Sequence, residues 1–188
     1  MRRLVFAEGV RDAINEIVYA VDGVETGVRL VGIRQEDCFV IRHVIGPGEK
    51  ARLDVCNYQC DNAYAETVFT ELLDKDPTLE WLGELHVHPP GCPWLSRLDR
   101  KTIREVVLGT DDALHPEEFI AGVMLRVDGA FVVDPFVFTK ENLNGERLEV
   151  EYGKYICTES TRTGSTIRDA FRFCRDWQRR KHHRRHGS

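Results

Sequence analysis

The chain has 188 residues, of which 42% are hydrophobic and 30% charged, and its formal net charge is −5. That length fits one domain with a short appendage, and the apolar content is enough for a core that needs no disulfide staple. No apolar run approaches the roughly 18 residues that span a bilayer, which argues against a membrane protein.

The charge is unevenly placed. From Arg168 onward, eight Arg or Lys stand against two Asp, giving +6 and leaving −11 on the first 167 residues. An acidic body argues against nucleic acid as the main partner. The expected division is a main domain over 1–160 and a basic C-terminal helix or tail over 161–188. In that tail Ile167, Phe171, Cys174 and Trp177 recur at helical spacing. The six cysteines show no paired spacing; free thiols are expected, and with them a reducing, cytoplasmic setting. Met1-Arg2-Arg3 begins like a secretory signal, but the apolar run Leu4 to Ala7 falls short of the roughly 7–15 residues that a signal needs.

In chain order, residues 8–22 read as an amphipathic helix with Val10, Ile14, Ile17 and Val18 on one stripe. Residues 26–33 and 38–45 are apolar, β-branched runs joined by the polar turn Gln35-Glu36-Asp37. They predict a hairpin ended by Gly46-Pro47-Gly48. A second helix is expected from about Asp61 to Leu73, burying Val68, Phe69, Leu72 and Leu73, with Pro77 beyond its end. Residues 80–88 read as a strand stopped by Pro89-Pro90, and Ser96 then opens a helix running to about Val107. Residues 119–126 and 130–138 predict a hairpin about Asp128-Gly129. The fold class is therefore mixed α/β, a mostly antiparallel or mixed sheet flanked by helices.

The chemistry concentrates between residues 84 and 99. In a strand, residues two apart share a face, so His86 and His88 present two imidazoles about 6.5–7 Å apart along the strand, able to converge on one metal ion. A seven-residue loop follows, then Ser96 and, three residues on, Asp99. Ser96 and Asp99 also read as a helix cap, which fixes both side chains at the helix start without competing with a metal role. Two imidazoles and one carboxylate leave a tetrahedral position open, the mark of a catalytic rather than a structural zinc site.

The whole pattern, His-x-His, seven residues, Ser, two residues, Asp, resembles the signature of the JAMM (MPN-plus) zinc metallopeptidases. The stretches Gly83-Glu84-Leu85-His86-Val87-His88-Pro89 and Trp94-Leu95-Ser96-Arg97-Leu98-Asp99 carry it. That resemblance spans roughly residues 8–140 and implies the cytidine-deaminase-like MPN fold. It further implies Zn2+ on His86, His88 and Asp99, with Ser96 donating a hydrogen bond to the oxyanion. Glu25, in Glu25-Thr26-Gly27-Val28, matches the family's upstream glutamate and is implied as the general base. Glu84 is the rival base by proximity alone. Gly46-Pro47-Gly48 and the Lys50-Ala51-Arg52 that follows it look like bacterial members associated with ubiquitin-like conjugation systems.

The implied activity is hydrolysis of the bond at the C-terminus of a ubiquitin-like protein, as deconjugation or precursor processing. The implied partners are that protein, its conjugates and an associated conjugating enzyme. Two other functions compete: a zinc amidase acting on small peptides, and an inactive MPN-type scaffold. Cys92, in the loop between the ligands, is either a bystander thiol or an inhibitory fourth ligand; His43, His115 and the tail histidines read as ordinary surface residues.

Overall fold

The computed structural model describes residues 1–89, 92–109 and 116–153. The expected basic tail at 161–188, with its apolar stripe and histidines, lies outside them, as does His115. The described elements are β1 (Arg3–Phe6), α1 (Val10–Tyr19), β2 (Gly27–Arg34), β3 (Cys38–Ile45), β4 (Arg52–Asp54), β5 (Asn57–Gln59), α2 (Asn62–Leu73), β6 (Glu80–Val87), α3 (Arg97–Leu108), β7 (Glu118–Val127), β8 (Ala130–Thr139), β9 (Glu146–Arg147) and β10 (Glu149–Tyr152). No helix among the described residues is long and apolar enough to cross a membrane.

Eight strands form one mixed sheet in the order β10-β1-β3-β2-β6-β7-β8-β9, while β4 and β5 form a separate hairpin. The predicted hairpins are present: β2 pairs antiparallel with β3, and β7 with β8. At the second turn both Asp128 (φ 49°) and Gly129 (φ 79°) are left-handed, as a two-residue hairpin turn requires. Leu4, Val5 and Phe6 of the N-terminal apolar run belong to the buried strand β1, which lies parallel between β10 and β3. The sheet curls until β8 approaches β10, where Phe131 and Tyr152 meet edge to face at 6.4 Å.

Its inner face closes on α1. Val10, Ile14, Ile17 and Val18 pack there with Leu4, Phe6, Leu30, Phe39 and Ile41. The outer face carries two helices. Helix α2 covers Val31 and Ile45 with Ala65, Val68 and Leu72, whereas Phe69 and Leu73 are only half-buried. Helix α3 covers β7 and β8, placing Ile103 and Val107 on Phe119, Ala121, Val123 and Phe138. The outer face of β6 runs between these two helices.

A bulge in β6 decides which of its side chains face outward. Leu30 pairs with Gly83 but Val31 with Trp81, so Leu82 is the extra residue. Leu82, Leu85 and Val87 consequently all join the inner core, and Glu84 and His86 stay outside. Gly83 sits at φ 152°, and a Cβ there would lie 1.9 Å from the Ile120 carbonyl oxygen of the neighbouring strand. Gly83→Ala is expected to cost about 2–5 kcal/mol, through backbone strain and a forced gap between β6 and β7. A thermal melt should show the midpoint lowered by about 5–15 °C.

An ion-pair network closes one edge of this arrangement. Arg2 forms a two-pronged pair with Glu118, Arg34 Nη1 reaches Glu118 Oε2 at 3.2 Å, and Arg34 Nη2 reaches Glu80 at 3.1 Å. Hydrogen bonds from Arg2 hold the Glu118 carboxyl below the usual carboxylate range, against the opposing effect of burial. A depressed folded-state pKa gives stability that is present above the unfolded value and lost as pH falls through the folded one. Glu118→Gln should therefore cost about 1–3 kcal/mol at neutral pH. In denaturant titrations across pH, the gap from wild type should shrink as the solution is acidified through the carboxylate range.

Candidate metal centre

The strand, loop and helix identified above converge on one point. His86 is the penultimate residue of β6, paired with Gly27 of β2 on one side and with Val123 of β7 on the other. His88 follows immediately and is buried, at 7% exposure. Asp99 stands on the first turn of α3, where Ser96 is the N-cap. Ser96 Oγ accepts from the Asp99 amide at 3.1 Å, and the Ser96 amide donates to Asp99 Oδ2 at 2.6 Å. This reciprocal capping box locks the carboxylate in place, and one side chain can serve both as cap and as candidate ligand.

The three ligating atoms lie within 4.8 Å of one another. His86 Nε2 faces His88 Nε2 at 2.8 Å, His86 Nε2 lies 3.3 Å from Asp99 Oδ1, and His88 Nε2 lies 3.3 Å from Asp99 Oδ2. Three donors on a tetrahedral ion with bonds near 2.0–2.1 Å are about 3.3–3.4 Å apart. Each histidine stands at that separation from one of the two Asp99 oxygens, with the histidine pair drawn closer together, and the cluster could hold a small divalent cation.

The protonation pattern supports the same fit. His88 Nδ1 lies 3.1 Å from the Cys92 carbonyl oxygen, which can only accept, so the proton of a neutral His88 belongs on Nδ1. Its Nε2 then turns a lone pair toward His86 and the Asp99 carboxylate. Acceptors facing one another need a cation or a shared proton between them. Burial pushes the Asp99 carboxyl up, but hydrogen bonds from His86 and Ser96 outweigh it and leave the group well below the usual carboxylate range. The cluster can hold a metal.

Glu25 lies just before β2, half-buried, with its amide donating to the Asp54 carbonyl at 2.8 Å. Burial raises its carboxyl above the ordinary value; His88 and His86 pull it back, and Asp99 pushes it up again. Glu25 thus shares an electrostatic environment with all three ligands. The link between Glu25 and the histidines is the β2–β6 pairing, through which the Val87 amide donates to the Thr26 carbonyl at 2.7 Å.

Glu84 shares the outer face with His86 but is engaged elsewhere. Arg29 Nε donates to it at 2.9 Å, and Arg29 Nη2 donates to Asn62 Oδ1 at 2.6 Å. Cys92 is exposed, and its sulfur is not among the ligating atoms that converge. Cys38, Cys56 and Cys60 are likewise free.

Two contributors escaped the sequence reading. One is the Cys92 backbone carbonyl, which orients His88. The other is Tyr58 of β5, whose ring packs over Gly27: a Cβ on that glycine would fall 2.6 Å from Tyr58 Cε1 and 3.1 Å from His86 Cβ. Glycine at position 27 gives the hairpin room to rest beside the ligand strand. A glycine two residues after Glu25 is the one signal in the sequence that points to this close approach.

No protein-family profile matches the chain, and no curated protein sequence matches it. Among solved structures, it is similar to the solution structure of protein DSY2949 from Desulfitobacterium hafniense, with a TM-score of 0.60 at 15% sequence identity. The match covers 82% of this chain and 95% of that one. At that identity the likeness is one of fold alone.

Proposed function

We propose that this chain is a zinc-dependent peptidase or isopeptidase of the JAMM type, with the MPN fold, that hydrolyses the bond at the C-terminus of a ubiquitin-like protein. The observation that carries this reading is the convergence of His86, His88 and Asp99, with Glu25 in the same electrostatic environment. The donor set favours zinc: two imidazoles and one carboxylate, all from the protein, leave room for one further oxygen. A zinc ion held there would supply Lewis-acid activation of water and of the scissile carbonyl.

The chain's own residues then divide the remaining work. Glu25 takes a proton from the attacking water and returns it to the leaving amine. Its partly buried carboxyl, raised above the ordinary range, is a stronger base than an exposed glutamate. Ser96 Oγ accepts from the Asp99 amide, which leaves its own hydrogen free to donate to the carbonyl oxygen as charge develops there. His88, buried and tied to the Cys92 carbonyl, keeps the ligand set rigid. The substrate class comes from the resemblance of the motif, as does the expectation that a conjugating enzyme is an associated partner.

The test is cleavage of a ubiquitin-like protein carrying a C-terminal extension, followed with and without a chelator. The proposal expects release of the extension, abolished by the chelator and restored by added zinc. Cleavage indifferent to metal removal would refute it. Cleavage of short peptides but of no folded ubiquitin-like fusion would move the assignment to a small-peptide amidase.

A further inference from the structure

Helix α3 does more than deliver Asp99. Its sequence, Arg97-Leu98-Asp99-Arg100-Lys101-Thr102-Ile103-Arg104, sets Arg97, Arg100, Lys101 and Arg104 at the i, i+3, i+4, i+7 spacing. At 100° per residue they fall within an arc of about 100°, flanking the face that buries Ile103 and Val107. All four are exposed. Lys101 has an exposed neighbour in Glu105 at 3.6 Å, but Arg97, Arg100 and Arg104 have no ion-pair partner among the described residues. This contrasts with the sheet, where Arg2, Arg3, Arg29, Arg34, Arg42 and Arg147 are each paired with a carboxylate.

Helix stability does not account for this stripe. Arg97 and Arg100 occupy the first turn, where the helix dipole disfavours cations. The stripe also has apolar company at the same end. Trp94 is 63% exposed and Leu98 60% exposed, among the most exposed large hydrophobic side chains on the described surface. Four cations beside two exposed apolar groups, on a body that is otherwise strongly acidic, make a local patch of opposite sign, and it starts on the same first turn of α3 that carries Asp99.

We propose that this face of α3 is a docking surface for a protein presenting carboxylates around an exposed apolar patch. Charge complementarity selects the sign of the partner, and Trp94 and Leu98 supply the apolar centre that protein interfaces use. A polynucleotide fits less well, because the stripe is short, Glu105 borders it, and the surrounding body repels a polyanion. That the docked protein is the substrate rests on the hydrolase reading, since α3 also carries Asp99 on its first turn; the docking itself does not.

The experiment is equilibrium binding to the full chain by fluorescence anisotropy at low salt. The probes are a labelled peptide built only of Glu and Leu and a labelled oligodeoxythymidylate of equal net charge. The chain variants are Arg100→Glu/Lys101→Glu/Arg104→Glu and, separately, Trp94→Ser/Leu98→Ser. All are exposed positions, and circular dichroism checks that each variant folds. The peptide should bind wild type more tightly than the oligonucleotide. Charge reversal should weaken peptide binding by about tenfold or more, and the apolar variant should weaken it by about threefold or more. An affinity unchanged in either variant overturns the proposal, as does tighter binding of the oligonucleotide. The readout does not involve hydrolysis, so a failed hydrolase reading leaves the reversal effect in place, whereas an unchanged affinity removes the docking face whatever the chain catalyses.

Discussion

Replacing Glu25 with Gln should lower turnover about 10²–10⁴-fold while leaving metal content and thermal stability near wild type. Glutamine keeps the size of the side chain and one acceptor oxygen but cannot take a proton. Glu25 is held through its backbone, by its amide to the Asp54 carbonyl and by the neighbouring Thr26 carbonyl to Val87. The substitution therefore disturbs neither anchor. Relief of a partly buried charge should offset any small loss of local hydrogen bonding. Turnover and zinc content measured on the same preparation check this, and activity equal to wild type would remove Glu25 from the mechanism. Glu84→Gln is the matched comparison: held by Arg29, it should leave turnover within about tenfold of wild type.

The second large effect is expected at Asp99, which caps the helix and, on the proposed reading, also holds the metal. Asp99→Asn retains an oxygen that can accept from the Ser96 amide, so the cap persists at a cost of about 1 kcal/mol. The lost charge matters more. The carboxylate touches both histidines, one through each oxygen, and supplies the only formal negative charge among the three converging ligands. Even partners one shell beyond a metal typically change affinity about 10–100-fold, so zinc affinity should fall more than about 100-fold here. Competition against a chelator of known affinity measures this. A variant that melts only slightly earlier yet fails to retain zinc would separate the two roles of the residue, and wild-type affinity would exclude Asp99 as a ligand.

Much of this site was legible because its signals are local. Strand alternation put His86 and His88 on one face, and the Ser96-to-Asp99 spacing marked a capping box that the structure contains on both sides. The hairpins around Gln35 to Asp37 and at Asp128-Gly129, and the three helices among the described residues, followed from periodicity and turn chemistry. What was not legible depends on contacts between distant parts of the chain. Leu4, Val5 and Phe6 carry no period, and only their pairing with β3 and β10 makes them a strand. The β4–β5 hairpin is mostly exposed and polar, so no apolar alternation announced it. Its Tyr58 nonetheless sits beside the ligand strand. The bulge at Leu82 and Gly83 was also hidden, because uninterrupted alternation puts Leu82 on the face of His86 while the structure turns it inward. Glu25 could be tied to the histidines only through family resemblance. The physical link, Gly27 opposite His86, is a cross-strand register that spacing alone does not encode.

The central claim is that His86, His88 and Asp99 hold a catalytic zinc. Its most direct test is the zinc content of the purified 188-residue chain, wild type beside His88→Ala, by elemental analysis after dialysis against metal-free buffer. About one zinc per wild-type chain and essentially none in the variant is the predicted result, as expected for a site with three protein ligands. A wild-type protein that carries no zinc and takes up none when it is added, or a His88→Ala protein that retains as much as wild type, would contradict the account.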